Sequence, residues 1–340
     1  MKKINKNIII IISTLILIIL MIMFIDLEQI ITNLIKISFL GSIGFFIIYF
    51  IVFLLRALRL KLIFKSLEKE VNYSIILASY GIGWSLNELT PAKVGDLARV
   101  EAINIKNQNI GRSKSLCGIS IERVIDLMVL FFISGISLLI LYFSNVHGAI
   151  IGDLQFFLIL GFLFILAILI ILAILFIKSE WILNPVEKIS SKLYNLLSHF
   201  LDSFFEGLTD FKRNRKEAMY SLILSGPIWL IETFTLILIF YLTGNYISFF
   251  IIILAQIIVF FSKFFPITPG GWVISENIGS LFIIAFVSIN YDAALSLFVL
   301  DHMLRNAFVF IYGIISGISI NFFKNVGIKK TVNMEKKNLN

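Results

Sequence analysis

Cysteine is nearly missing from this sequence. Cys117 stands alone, so no internal disulfide can brace the chain. Only three histidines occur, His147, His199 and His302, and their scatter gives no metal-ligand spacing. No metal or cofactor is expected. Charge is scarce as well: Asp, Glu, Lys and Arg make up 15% of the 340 residues, against about 25% in ordinary soluble domains. Phosphate-cradling glycine loops, the dinucleotide-binding fingerprint and zincin motifs are all missing. So is the Asp-x-Asp pair of metal-dependent sugar-nucleotide transferases. The longest polar stretch runs from about Lys178 to Lys216, too short for a soluble catalytic domain.

What fills the sequence is hydrocarbon. Hydrophobic residues reach 59%, and the mean hydropathy is +0.98. An all-α, polytopic membrane bundle follows, because a helix satisfies its own backbone in lipid. About 20 apolar residues cross the bilayer core. Spans are expected near 8–25, 34–55, 115–143, 154–177, 218–243 and 293–320, with shorter segments at 247–265 and 272–290. The run from Ile8 to Ile25 follows Lys2, Lys3 and Lys6 and reads as an uncleaved first span. The formal charge of +8 sits beside these spans, so it marks orientation and anionic headgroups, not nucleic acid.

Lysine and arginine mark the cytoplasmic side. They place both termini, Arg56 to Lys69, Lys93 to Lys114 and Lys178 to Lys216 there, in the plasma membrane. Residues 73–90 then begin and end on one face, as the arm of a re-entrant hairpin. Around Pro269 the charges allow two full spans or a re-entrant hairpin, and only the second makes the halves inverted repeats. The chain reads as one membrane domain over residues 1–340. Its first half covers about 73–143 and its second about 218–320. An amphipathic connector at about 178–217 carries Leu193, Phe200, Phe204, Leu208 and Phe211 on one face. It suits either the cytoplasmic interface or the bundle surface.

Two interruptions break the apolar runs. The first is Asn87-Glu-Leu-Thr90-Pro91-Ala-Lys-Val-Gly95-Asp96-Leu-Ala-Arg99, and the second is Phe265-Pro-Ile-Thr268-Pro269-Gly270-Gly271-Trp-Val-Ile-Ser-Glu276. Proline ends a helix, glycine lets the backbone turn, and the freed amides can meet an anion. Some thirty residues after each lies an arginine in an apolar run, Arg123 and Arg305. A charge there is costly unless paired or wetted. Arginine keeps its charge and offers a planar fork to phosphate or carboxylate. Arg99, Arg123 and Arg305 are therefore candidates for an anionic headgroup. The competing reading is internal pairing, of Arg123 with Glu122 or Asp126 and of Arg305 with Asp301. Glu276 and Glu232 are stranded carboxylates, the first a candidate site residue and the second a counter-ion.

These motifs, with Ile121-Glu122-Arg123-x-x-Asp126 between them, resemble a flippase-like membrane family. That family includes the transmembrane half of lysylphosphatidylglycerol synthase, the multiple peptide resistance factor, and the likeness spans roughly residues 40–320. It implies a lipid-translocating role for an anionic, aminoacylated or polyprenyl-phosphate lipid. It does not imply the synthase reaction, which belongs to a separate soluble domain, so an enzyme is not the first expectation. Relatives joined to dolichol-type glycosyltransferases make such a transferase an expected partner beside membrane lipids. The alternative is a membrane-embedded enzyme or accessory, with Glu122, Asp126 and Glu276 as its carboxylates.

Overall fold

The computed structural model describes residues 27–90, 94–107, 109–144, 191–263, 268–322 and 324. The expected spans at 8–25 and 154–177, and Pro91 of the first motif, lie outside them. Within the described residues the chain is helical and has no strand. The order is α1 (Leu27–Ser66), α2 (Tyr73–Leu89), α3 (Gly95–Lys106), α4 (Arg112–Phe143), α5 (Ser191–Arg213), α6 (Arg215–Leu242), α7 (Phe249–Ser262), a 3-10 turn (Pro269–Gly271), α8 (Ile274–Phe286) and α9 (Tyr291–Ser319). Of these, α1, α4, α6 and α9 are long and apolar enough to cross a membrane.

α1 runs 40 residues, with a non-helical break at Ser38 (φ 57°, ψ 163°). Past that break, Arg56, Arg59, Leu60 and Ile63 repeat at i, i+3, i+4 and i+7. This is one helix face, and all four are buried. The charge pattern had placed Arg56 and Arg59 in a basic cytoplasmic cluster. They belong instead to the bundle interior, at 1% and 0% exposure, because the helix continues to Ser66 and buried carboxylates wait on α4 and α6.

The first interruption is a tight helix pair. The Asn72 side chain caps α2 by accepting from the Ser74 amide. At the other end the Thr90 hydroxyl donates to the Leu86 carbonyl. The Asn87 side-chain oxygen then accepts from the Gly95 amide at 2.8 Å and starts α3. The two helices press together so closely that a Cβ on Gly95 would lie 1.8 Å from the Gly83 carbonyl oxygen. The second interruption bends through Gly270 (φ 62°) and Gly271 (φ 80°), both left-handed. Val273 follows at φ 74°, a strained conformation for a β-branched side chain. The Thr268 hydroxyl donates to the Trp272 carbonyl and fixes the bend.

α1 packs along α6, with the α2–α3 pair against α9 and α4, and the α7–α8 pair against α4 and α9. The order long helix, short pair, arginine-bearing helix therefore occurs twice in the chain. α5 lies on α4, α1 and α6. Its Phe204, Leu208 and Phe211 pack on the core, and Arg213 pairs with Glu68 in the α1–α2 loop. That hydrogen bond holds the Glu68 carboxyl below its ordinary range.

Candidate functional site

Carboxylates and cations stranded in apolar helices find each other at the centre of this bundle. Arg59 donates to Glu122 at 2.8 Å, to Asp126 at 2.5 Å and to the Ser225 hydroxyl at 2.9 Å. Glu122 also accepts from Arg99 at 2.7 Å and from the Tyr80 hydroxyl at 2.7 Å. Asp126 takes a further bond from the Trp229 indole at 2.8 Å. Arg56 pairs with Glu232 while its guanidinium lies 5.0 Å from the Trp84 ring centre and 4.9 Å from that of Trp229. Such pairing is what allows arginines to be buried at all.

Arg123 and Arg305 sit at the edge of this network. Arg123 binds Asp96 through Nη2 at 2.8 Å and Nε at 3.2 Å. Arg305 donates to Asp301 at 2.7 Å, Glu232 at 3.0 Å and the Thr235 hydroxyl at 2.6 Å. Both line a cavity of about 120 Å³ at the meeting of the two halves. Lys263, at the end of α7, is the third cation on its wall. Tyr49, Trp84 and Trp229 supply aromatic surface, and Asn87, Glu88 and Asp301 supply polar groups.

The second motif packs against the end of the first. A Cβ on Gly270 would lie 2.3 Å from Glu88 Oε2, so the Pro-Gly-Gly turn is seated on the end of α2. His302 bridges the two motifs. Its Nε2 lies 2.9 Å from Glu88, and its Nδ1 contacts Glu276. The Trp272 ring stacks on the imidazole at 4.2 Å with a 10° tilt. The Asn306 amide, oriented to suit both neighbours, donates to Glu88 at 3.1 Å and accepts from the Trp272 indole at 3.2 Å.

Of the residues expected from sequence, Asn87, Arg123 and Arg305 reach the cavity. Asp96 holds Arg123, while Arg99, Glu122 and Asp126 lie behind in the ion-pair network. Thr90, Gly95, Thr268, Pro269, Gly270 and Gly271 shape the two turns, and Glu276 holds His302. Arg99 is fully buried. Internal pairing is real for both flagged arginines, though Arg123 takes Asp96 as its close partner and leaves Asp126 at 3.9 Å. Sequence reasoning missed Arg56, Arg59, Glu88, Lys263 and the role of His302. For the first two a signal existed: they are arginines in a lysine-rich chain, spaced to share one face with the apolar residues that follow.

No solved structure matches the chain. Among curated proteins it is similar to glycosyltransferase AglD of Haloferax volcanii, at 22% identity over 323 residues covering 84% of this chain and 50% of that protein. The chain thus spans about half the length of this relative. The findings together place it among membrane proteins of the lipid-related transferase or flippase kind. The family model described as "Lysylphosphatidylglycerol synthase TM region" matches residues 9–313, and the chain belongs to that family.

Proposed function

We propose that the protein moves an anionic, aminoacylated or polyprenyl-phosphate lipid between the leaflets of a membrane. The observation that carries this reading is the central cavity. It gathers Arg123 from the first half and Lys263 and Arg305 from the second, in a bundle whose outer faces are apolar. A headgroup crossing hydrocarbon needs such a lining, because polar groups cost several kcal/mol each when unsatisfied there. Arg123 and Arg305 keep their charge at any working pH, and a phosphate would take over forks now held by Asp96 and by Asp301 and Glu232. Ligand pockets usually enclose about 300–1,000 Å³. This one is smaller, so the helix pairs part to admit a headgroup and close behind it.

Proteoliposomes test the reading. A leaflet-specific anionic lipid label should be lost faster than from empty vesicles, and Arg305→Ala and Pro269→Ala should each slow that loss. If anionic, aminoacylated and polyprenyl-phosphate lipids all stay in place, with and without a proton gradient, the transport reading fails.

A second reading draws on the relative named as a glycosyltransferase, half of whose length this chain matches. In it the protein serves a lipid-linked transferase as a membrane partner, or itself acts on the lipid. Product formation by purified protein in detergent separates the two, because an enzyme turns over there and a flippase needs a sealed bilayer.

A further inference from the structure

Among the described residues, His302 is a titratable group that joins the two interrupted helix pairs. Glu88, on its Nε2 side, belongs to the end of α2, and Glu276, on its Nδ1 side, to the first turn of α8. A neutral imidazole has one donor nitrogen, and an imidazolium has two. Only the protonated ring can donate to both carboxylates at once. Trp272 adds an aromatic face against the cation. We propose that His302, held between Glu88 and Glu276, is a proton-binding site whose occupation closes the two helix pairs over the cavity, so that a proton and an anionic headgroup bind and cross together.

Charge balance supports the site. The buried network holds Arg56, Arg59, Arg99, Arg123, Lys263 and Arg305 against Glu88, Asp96, Glu122, Asp126, Glu232, Glu276 and Asp301. Six cations thus face seven carboxylates, and a proton on His302 brings the sum to zero. On the cavity wall itself Arg123, Lys263 and Arg305 face Glu88, Glu232 and Asp301, so the proton on His302 gives that wall one positive charge for an anionic headgroup, and without it a bare ring nitrogen faces a carboxylate oxygen. Loss of the proton therefore both removes that charge and undoes the latch.

The groups around the ring let the proton leave. Lys263 of α7 places its ammonium 3.4 Å from Nε2, a like charge that opposes the imidazolium. On α9 itself Asp301 precedes the ring and Arg305 follows within a turn. Arg123 of α4, Glu232 of α6 and Tyr49 of α1 face the ring across the same cavity. Behind the ring, Ser275, Glu276 and Asp301 line a void of about 20 Å³. Each of them has a buried oxygen with no hydrogen-bond partner among the described residues. That void has room for a water molecule to meet those oxygens, beside the Glu276 carboxyl that Nδ1 already contacts.

The proton site rests on this geometry, and its coupling to lipid rests on the transport reading. The two are tested separately on the full chain. In nanodiscs, tryptophan emission is followed against pH, because an imidazolium stacked on Trp272 quenches it. The wild type should brighten in one transition as pH rises, and both His302→Gln and Trp272→Phe should abolish that transition. A transition that survives both substitutions, or is absent from the wild type, overturns the proton site.

The second arm uses phosphatidylcholine vesicles with a trace of fluorescent phosphatidylglycerol and a gradient of one pH unit. One proton per lipid sustains about a tenfold enrichment of label in the leaflet facing the alkaline side, since one pH unit is about 1.4 kcal/mol. His302→Gln should lose that asymmetry. Movement that ends in equal leaflets, or that follows a sodium gradient and ignores pH, overturns the coupling and leaves transport standing. If the probe does not move at all, the transport reading fails for that lipid, and the emission transition alone decides the proton site.

Discussion

Arg59 donates to two carboxylates and a hydroxyl and has no exposed surface. Arg305 has as many partners, yet it lines the cavity. The difference predicts opposite phenotypes for one conservative change. Lysine keeps the charge and loses the fork. Arg59→Lys leaves Glu122 or Asp126 short of a partner in the interior, and breaking a buried pair costs about 3–5 kcal/mol. That variant should fail to accumulate. Arg123→Lys and Arg305→Lys should accumulate, remain monodisperse in detergent and lose lipid co-purification as read by native mass spectrometry. If both of the latter bind lipid normally, or both fail to fold, the headgroup role belongs elsewhere.

At this scale the legible residues were those whose chemistry contradicts their surroundings. A charge in an apolar run stands out, so Arg123, Arg305, Glu232 and Glu276 could be picked from sequence alone. Arg56 and Arg59 were hidden because Lys61, Lys65 and Lys69 follow them, and a basic flank is the ordinary way for a span to end. Glu88 and His302 were hidden for another reason. They are 214 residues apart, and no spacing rule links the end of one helix pair to the face of a helix in the other half.

Among the elements, the helix pair α2–α3 depends on a backbone-to-backbone approach that side-chain packing cannot relax. An alanine at Gly95 meets the Gly83 carbonyl and the Asn87 side chain. Gly95→Ala should lower the melting temperature in detergent, with a cost of about 1–3 kcal/mol or more, as for an overpacked core. Gly135 of α4 has open space where a Cβ would go, so Gly135→Ala is the matched control and should melt with the wild type. Equal melting of both variants would show that the two helices do not approach this closely. Helix existence was legible from apolar length, and the observed α4, α6 and α9 fall close to the expected spans. The turn at Gly95 was visible as proline and glycine in a hydrophobic run. Its close backbone packing on Gly83 was not, because charge counting sees only which face a segment starts and ends on.

For the whole molecule, the unresolved choice at Pro269 becomes a matter of length. Helices α7 and α8 have 14 and 13 residues, or about 20 Å each at 1.5 Å per residue. The hydrocarbon core is about 30 Å thick. Their turn is seated on Glu88 at the end of α2, so the two helix pairs meet tip to tip. On this basis we propose hairpins that enter from opposite faces and, with the twice-repeated element order, an inverted repeat. The basic-residue pattern then predicts one orientation. Lys106 and Lys212 face the cytoplasm, and Tyr246, in the lysine-free loop between α6 and α7, faces outward. All three are exposed, while Cys117 is buried. In a Cys117→Ala background, a cysteine at 246 should react with an impermeant maleimide on intact cells. Cysteines at 106 and 212 should react only after permeabilisation. Outside labelling at 106 or 212, or protection at 246, would reverse the orientation and with it the side from which each hairpin enters.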